Sequence, residues 1–186
     1  MHNTDSTKQR LFFALMPPKN IEDDILDFTK NFKIINNNVK VVPQEKYHIT
    51  LFFLGDVDSS LVPSIVKAIK KIKFKPFSVH LDYLGFFSNS RVFWMGCNHI
   101  PKKLLLLIDE LADCLKKVDG LQYDFIINKK NKYTPHVTLY KKLALGDITV
   151  LDNVSPDITW DIKDFCLLRS INVEDRAEYE LVERFG

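Results

Sequence analysis

Two short stretches carry residues able to move protons beside an oxygen anion. His48-Ile49-Thr50 and His136-Val137-Thr138 each set an imidazole and a hydroxyl two residues apart, inside apolar runs rich in aromatic and β-branched residues. In a strand, alternate side chains point to one side. His48, Thr50, Phe52 and Leu54 are therefore expected to share a face, as are His136, Thr138 and Tyr140. An imidazole titrates near ~6.5, so one ring can be neutral while the other is protonated. Displacement at phosphorus needs that combination: a base for the attacking oxygen and an acid for the leaving one. Two Thr hydroxyls can donate to the non-bridging oxygens, where negative charge grows in the transition state. No metal is required. For a single His-x-Thr triplet, a core imidazole with a satisfied partner is the ordinary alternative. Two triplets on like strands point to one shared site.

Competing chemistries have less behind them. Two histidines do not fill a tetrahedral zinc site, and no further ligand stands at ligand spacing beside either one. A Gly-x-Ser-x-Gly nucleophile elbow, a Walker loop and a dinucleotide fingerprint are all absent from the sequence. Cys97, Cys114 and Cys166 are an odd number with no close spacing, which suits buried thiols in a reducing cytoplasm.

The elements that must position the two triplets can be read in order. Residues 1–9 are expected to form a flexible tail, and Leu11 to Leu15 a buried strand. Ile21, Ile25, Phe28 and Phe32 recur at helical spacing, with acidic residues in the first turn. A short strand from Lys40 to Val42 precedes the first triplet. Asp58-Ser59-Ser60 reads as the cap of a second helix, with Ile65, Ile69 and Ile72 as its buried stripe. Phe77 to Leu81 and Val92 to Gly96 read as strands, expected to pair as a hairpin around a turn at Phe87 to Ser90. Pro101 opens a third helix with Leu104, Leu107, Ile108, Leu111 and Leu115 on one face, stopped by Asp119-Gly120. After the second triplet come strands at Ile158–Trp160, Phe165–Arg169 and Tyr179–Val182, the last two joined by a polar turn at Asn172 to Arg176.

A helix precedes each triplet, and the triplets lie about half a chain length apart, which suggests an internal duplication. The expected fold is α+β: two pseudo-symmetric lobes whose antiparallel sheets meet at a central cleft, with helices on the outer faces. Residues 1–186 are read as one two-lobed domain.

Composition bounds the partners. A hydrophobic content of 46% with 27% charged residues is ordinary for a soluble globular chain, and a net charge of +2 predicts no bulk attraction to nucleic acid. The apolar run after the polar N-terminus is too short for a membrane span or a signal-peptide core. A cytoplasmic protein is expected, with no membrane partner and no sign of an obligate oligomer, hence a monomer.

Arg10-Leu11-Phe12-Phe13-Ala14, the run from His48 to Gly55, Arg91-Val92-Phe93-Trp94 and Pro135-His136-Val137-Thr138-Leu139 occur in an order that resembles the RNA 2′,3′-cyclic phosphodiesterases. These are also called 2′-5′ RNA ligases and belong to the two-histidine phosphoesterase superfamily. The resemblance runs from Arg10 to Phe185. It implies a cofactor-free hydrolase that opens ribose 2′,3′-cyclic phosphates, at RNA ends or in cyclic nucleotides, to 2′-phosphates, with 2′-5′ ligation as a reverse activity. It also implies that His48 donates a proton to the departing 3′ oxygen, that His136 accepts one from water, and that Thr50 and Thr138 hold the phosphate. The two triplets alone do not distinguish donor from acceptor. Family members often carry Arg three residues after the second Thr. Lys141 stands there, with the charge but without the bidentate fork.

Three further residues are candidates for contacting substrate. Lys141 offers charge, Tyr140 either a ring for a nucleobase or a core aromatic, and Arg91 a second cation at the cleft. Lys129, Lys130, Lys132, Lys141 and Lys142 gather around the second triplet, as a basic rim for an RNA end or as a solvated loop. Phe86-Phe87 reads as core or cleft wall; His2, His80 and His99 are assigned no role. The rival function is a non-catalytic RNA-binding α+β module. Within the enzyme class, another cyclic phosphate or a 2′-5′ oligonucleotide is the rival substrate.

Overall fold

Over residues 8–36, 38–122, 133–144, 146–150, 154–173 and 176–186, which the computed structural model describes, strands outnumber helices and two strands carry the triplets. The order is β1 (Lys8–Leu15), α1 (Lys19–Thr29), β2 (Phe32–Ile34), β3 (Lys40–Val41), β4 (Ile49–Asp58), α2 (Val62–Ile69), β5 (Phe77–Leu81) and β6 (Tyr83–Phe87). Then come β7 (Val92–Gly96), α3 (Lys102–Leu115), β8 (His136–Lys141), β9 (Ile148–Val150), β10 (Ile158–Ile162), β11 (Phe165–Val173) and β12 (Arg176–Phe185).

The main sheet runs β12-β11-β1-β4-β8-β7-β6, with β3 added beside β8. All its pairings are antiparallel, as are the two small ribbons β5·β10 and β2·β9. Its two halves touch through one register pair, Ile49 opposite Val137. On one side β1 lies beside β4 with α1 in the connection; on the other β7 lies beside β8 with α3 in the connection. The expected duplication is therefore a repeat of strand, helix and motif strand about the β4·β8 joint.

The two faces of the sheet do different work. Leu11, Phe13 and Leu15 point to the main core, together with Ile21 and Ile25 of α1, Ile65 and Ile69 of α2, and the whole apolar stripe of α3. Phe165 stacks on Phe185 at 5.0 Å there. Alternation sends Phe12 and Ala14 to the opposite face, where they form a second small cluster with Cys166 and Leu168. Among the described residues all three helices lie on the core side, which leaves that second face open for a site.

Several expectations need correcting. The tail ends earlier, because Lys8 and Gln9 pair with Asp58 and Val57 in β1·β4; residues 1–7 lie outside the described residues. Helix α1 stops at Thr29, where Asn31 donates from Nδ2 to the Phe28 carbonyl, so Phe32 enters β2 instead. Its ring still meets Phe28 edge-on at 5.4 Å. Helix α2 ends at Ile69, before Ile72. Asp58 accepts from the Ser60 amide and caps a 3-10 turn that leads into α2. The hairpin partner of β7 is β6, whereas β5 pairs with β10 far along the chain. Gly85 weakens the strand pattern of β6 but is required: a Cβ there would lie 2.1 Å from Trp94 Cζ2. The polar turn after Asn172 includes residues outside those described.

Candidate active site

The two triplets adopt matching geometry. His48 Nδ1–H donates to the Lys46 carbonyl at 2.8 Å, and His136 Nδ1–H donates to the Thr134 carbonyl at 2.8 Å. In each case the acceptor lies two residues before the ring. This bond selects the tautomer in which Nε2 keeps its lone pair, so each histidine presents one nitrogen for proton exchange.

Each ring is also walled by aromatics from its own half. His48 sits against Phe12 at 5.4 Å and meets Tyr179 edge-on at 5.2 Å, with Phe12 and Tyr179 5.1 Å apart. His136 meets Phe87 edge-on at 5.0 Å and lies 5.8 Å from Trp94, whose indole is 5.0 Å from Phe87. Phe87 is thus a cleft wall. These rings fix both imidazoles and strip water from them.

Desolvation sets their charge. Burial is the main cause that lowers His48 to about 4; the charge of Lys141, and that of His136 when it is protonated, push the same way, and the Lys46 carbonyl opposes them. Burial likewise holds His136 below its ordinary value, against its bond to the Thr134 carbonyl. Both rings are neutral near pH 7 in the free chain. Lys141 and His136 are near enough to His48 for their charge to act on it.

Repeated irregularities decide which neighbours join them. In β4 the pairing slips between Phe13 and Ala14, so Thr50 opposes Ala14 while Phe52 opposes Phe13. In β8 it slips between Phe93 and Trp94, so Thr138 opposes Trp94 while Tyr140 opposes Phe93. Each slip is a β-bulge at the Leu after Thr, and a bulge shifts the alternation by one residue. Residues two after each Thr, Phe52 and Tyr140, turn into the core. Residues three after each Thr, Phe53 and Lys141, turn onto the face of the histidines, because directly opposed residues share a face: Phe53 opposes Phe12 and Lys141 opposes Val92. Leu54 also goes to the core.

This corrects one candidate and repositions another. Tyr140 is 4% exposed and packs 5.9 Å from Phe32 and 6.2 Å from Phe93, so it has no face for a nucleobase. Lys141 is exposed and on the site face. Arg91 uses its guanidinium on the chain, donating from Nη2 to the Lys142 carbonyl at 3.0 Å and from Nε to the Leu143 carbonyl at 3.3 Å. It steadies the segment that follows Lys141 and does not aim at the imidazoles. Thr50 and Thr138 flank the β4·β8 joint, and among the described residues neither hydroxyl has a hydrogen-bond partner. Lys129, Lys130 and Lys132 lie outside the described residues.

Other parts of the site gave no local sequence signal. Lys46, whose carbonyl holds His48, is itself fixed by Glu178 of β12 at 2.7 Å. Tyr133 donates its hydroxyl to the Thr50 carbonyl at 2.8 Å, tying the approach to β8 onto β4. Tyr179 and Glu178 are far from either triplet in sequence, so only the fold brings them in. Cys97 is pushed up to about 12 and Cys166 to about 11 by burial, which makes neither a nucleophile near neutral pH. Among the described residues, no helix is long and apolar enough to cross a membrane.

Comparisons with known proteins give the site a context. Residues 15–94 match the family model described as LigT like phosphoesterase. A Methanocaldococcus jannaschii protein named RNA 2′,3′-cyclic phosphodiesterase is 31% identical over 147 residues, covering 77% of this chain and 74% of that protein. A protein of the same name from Escherichia coli is 27% identical over 183 residues, covering 97% and 98%. Among solved structures, E. coli LigT in apo form superposes with a TM-score of 0.78 at 24% identity, over 97% of this chain and 98% of that one. E. coli LigT complexed with 3′-AMP gives a TM-score of 0.79 at 25% identity, over 96% and 97%.

Proposed function

The chain belongs to the LigT-like phosphoesterases, and from that premise we propose that it hydrolyses ribose 2′,3′-cyclic phosphates, at RNA ends or in cyclic nucleotides, to 2′-phosphomonoesters. The observation that carries the proposal is the matched pair of imidazoles, each bonded through Nδ1 and, among the described residues, free at Nε2, beside two Thr hydroxyls that have no hydrogen-bond partner among those residues. The names of the M. jannaschii and E. coli relatives and the 3′-AMP bound in E. coli LigT support a ribose phosphate in the cleft.

In the proposed reaction the phosphate lies between Thr50 and Thr138, which donate to its non-bridging oxygens. His136 Nε2 takes a proton from water as the water oxygen bonds to phosphorus. The bond from phosphorus to the 3′ oxygen breaks, and protonated His48 gives its Nε2 proton to that oxygen. One proton is accepted and one donated, so solvent exchange resets both rings. A phosphate anion next to Lys141 offsets the positive charge that depresses His48, and so helps load the acid on binding. With a ribose 5′-hydroxyl in place of water, the same displacement joins two ends by a 2′-5′ linkage. Both triplets come from one chain, so a monomer suffices, and we read residues 1–186 as one two-lobed unit. The free thiols suit a reducing cytoplasm.

A product assay tests this reading. Nucleoside 2′,3′-cyclic phosphates should yield 2′-phosphates. Exclusive formation of 3′-phosphates would exchange the leaving oxygen and overturn the assignment, and RNA binding without turnover would favour a binding module.

A further inference from the structure

The bulge after Thr138 brings Lys141 onto the site face, and a second cation stands directly across the ladder from it. Strand β3 pairs with the end of β8 so that Lys40 stands opposite Lys141 and Val41 opposite Tyr140, and the Val42 amide donates to the Leu139 carbonyl at 2.9 Å. Directly opposed residues of an antiparallel pair point to the same side, so Lys40 stands beside Lys141 on the face that carries His136 and Thr138. Both lysines are exposed, and among the described residues neither has a carboxylate partner. Two like charges in register repel each other across a ladder. An anion between them reverses that repulsion.

The equivalent place in the other half is different. There the residue three after Thr50 is Phe53, 46% exposed, with the Arg10 guanidinium 4.9 Å above its ring. The pseudo-two-fold is therefore broken at this shell among the described residues: one exit is cationic on both strands, the other aromatic with Arg10 stacked on it. A polyanion leaving the site has a preferred direction.

We infer that Lys40 and Lys141 form a second phosphate subsite, which takes the backbone phosphodiester next to the reacting cyclic phosphate. The inference rests on the proposed function and sharpens its substrate class. The chain is built for the end of an oligoribonucleotide and handles an isolated nucleoside cyclic phosphate less well. Lys141, on the triplet strand itself, serves both the reacting phosphate and the neighbouring one, whereas Lys40, across the ladder on β3, serves only the second. Lys40 is thus a specificity residue with no part in the chemical step.

The test compares a nucleoside 2′,3′-cyclic phosphate lacking any 5′ phosphate with a short oligoribonucleotide ending in the same cyclic phosphate, for wild type, Lys40→Gln and Lys40→Arg. Lys40→Gln should raise KM for the oligonucleotide roughly three- to tenfold, leave kcat unchanged, and leave the nucleoside substrate unaffected. The dependence of oligonucleotide KM on salt should flatten by about 0.7 in log–log slope, the contribution of one phosphate contact on a single strand. Lys40→Arg should restore most of the difference. Equal effects on both substrates, or none on the oligonucleotide, would overturn the subsite while leaving the hydrolase reading intact. Failure of wild type to turn over either substrate would instead remove the reading on which the subsite rests.

Discussion

Lys46 and Glu178 lie 2.7 Å apart, and through that contact the edge strand β12 holds the residue whose carbonyl orients His48. The Lys46 side chain is only 16% exposed while Glu178 is 44% exposed, so the pair sits at the rim of the cleft. An ion pair this open to water adds little to stability, on the order of 1 kcal/mol or less. Its weight falls on geometry: Lys46 moves, the carbonyl moves, and the imidazole loses its tautomer and its aim.

Glu178→Gln should therefore lower kcat by roughly three- to tenfold with little change in KM, while the thermal midpoint shifts by a few degrees at most. Glu178→Asp should recover part of the loss. Kinetics beside a melting curve decide this, because a purely structural role would move the midpoint and leave kcat alone.

The buried imidazole makes the fold acid-sensitive. His48 titrates at about 4 in the folded chain, below the ~6.5 of an unfolded one, so the unfolded state takes up the proton first. Stability is then full above pH ~6.5 and falls as pH drops toward 4, by at most ~1.4 kcal/mol per pH unit from this group. His48→Gln should flatten that slope. Urea midpoints between pH 7 and 4.5 measure it, and equal slopes in both proteins would contradict the burial argument. In the free chain, NMR titration of Lys141→Met should show His48 raised, though still below its ordinary value because desolvation is the larger cause.

Tyr140 separates core from site. Tyr140→Phe should leave KM within about twofold of wild type, while Tyr140→Ala should cost about 3–5 kcal/mol, as for other large aromatics removed from cores. A raised KM for the Phe variant at unchanged stability would return the residue to the cleft.

Trp94 lies over Gly85, where an added Cβ would come within 2.1 Å of the indole. Gly85→Ala should displace Trp94 from its place beside His136, destabilise the chain by about 1–3 kcal/mol, and lower kcat. Indole fluorescence follows the displacement. Unaltered fluorescence and activity would show that the wall at His136 is not set by this contact.

The histidines and threonines could be read from the sequence because a strand needs only period two to place His48 with Thr50 and His136 with Thr138. The helices were readable for the same reason, Leu104 to Leu115 most clearly. Two kinds of feature were not. A bulge leaves no mark in apolar sequence: Thr50-Leu51-Phe52-Phe53 and Thr138-Leu139-Tyr140-Lys141 scan as unbroken alternation, which puts Tyr140 on the wrong face. Long-range partners such as Tyr179 for His48, or β10 for β5, depend on register, which hydrophobic pattern alone does not fix.

The most direct measurement is turnover of a nucleoside 2′,3′-cyclic phosphate in EDTA, for wild type beside His48→Ala and His136→Ala. Wild type should keep full activity without metal, and each variant should lose at least about a hundredfold, the contribution of one positioned acid or base. Activity that survives in either variant, or that vanishes in EDTA and returns with a divalent cation, would contradict two-histidine catalysis.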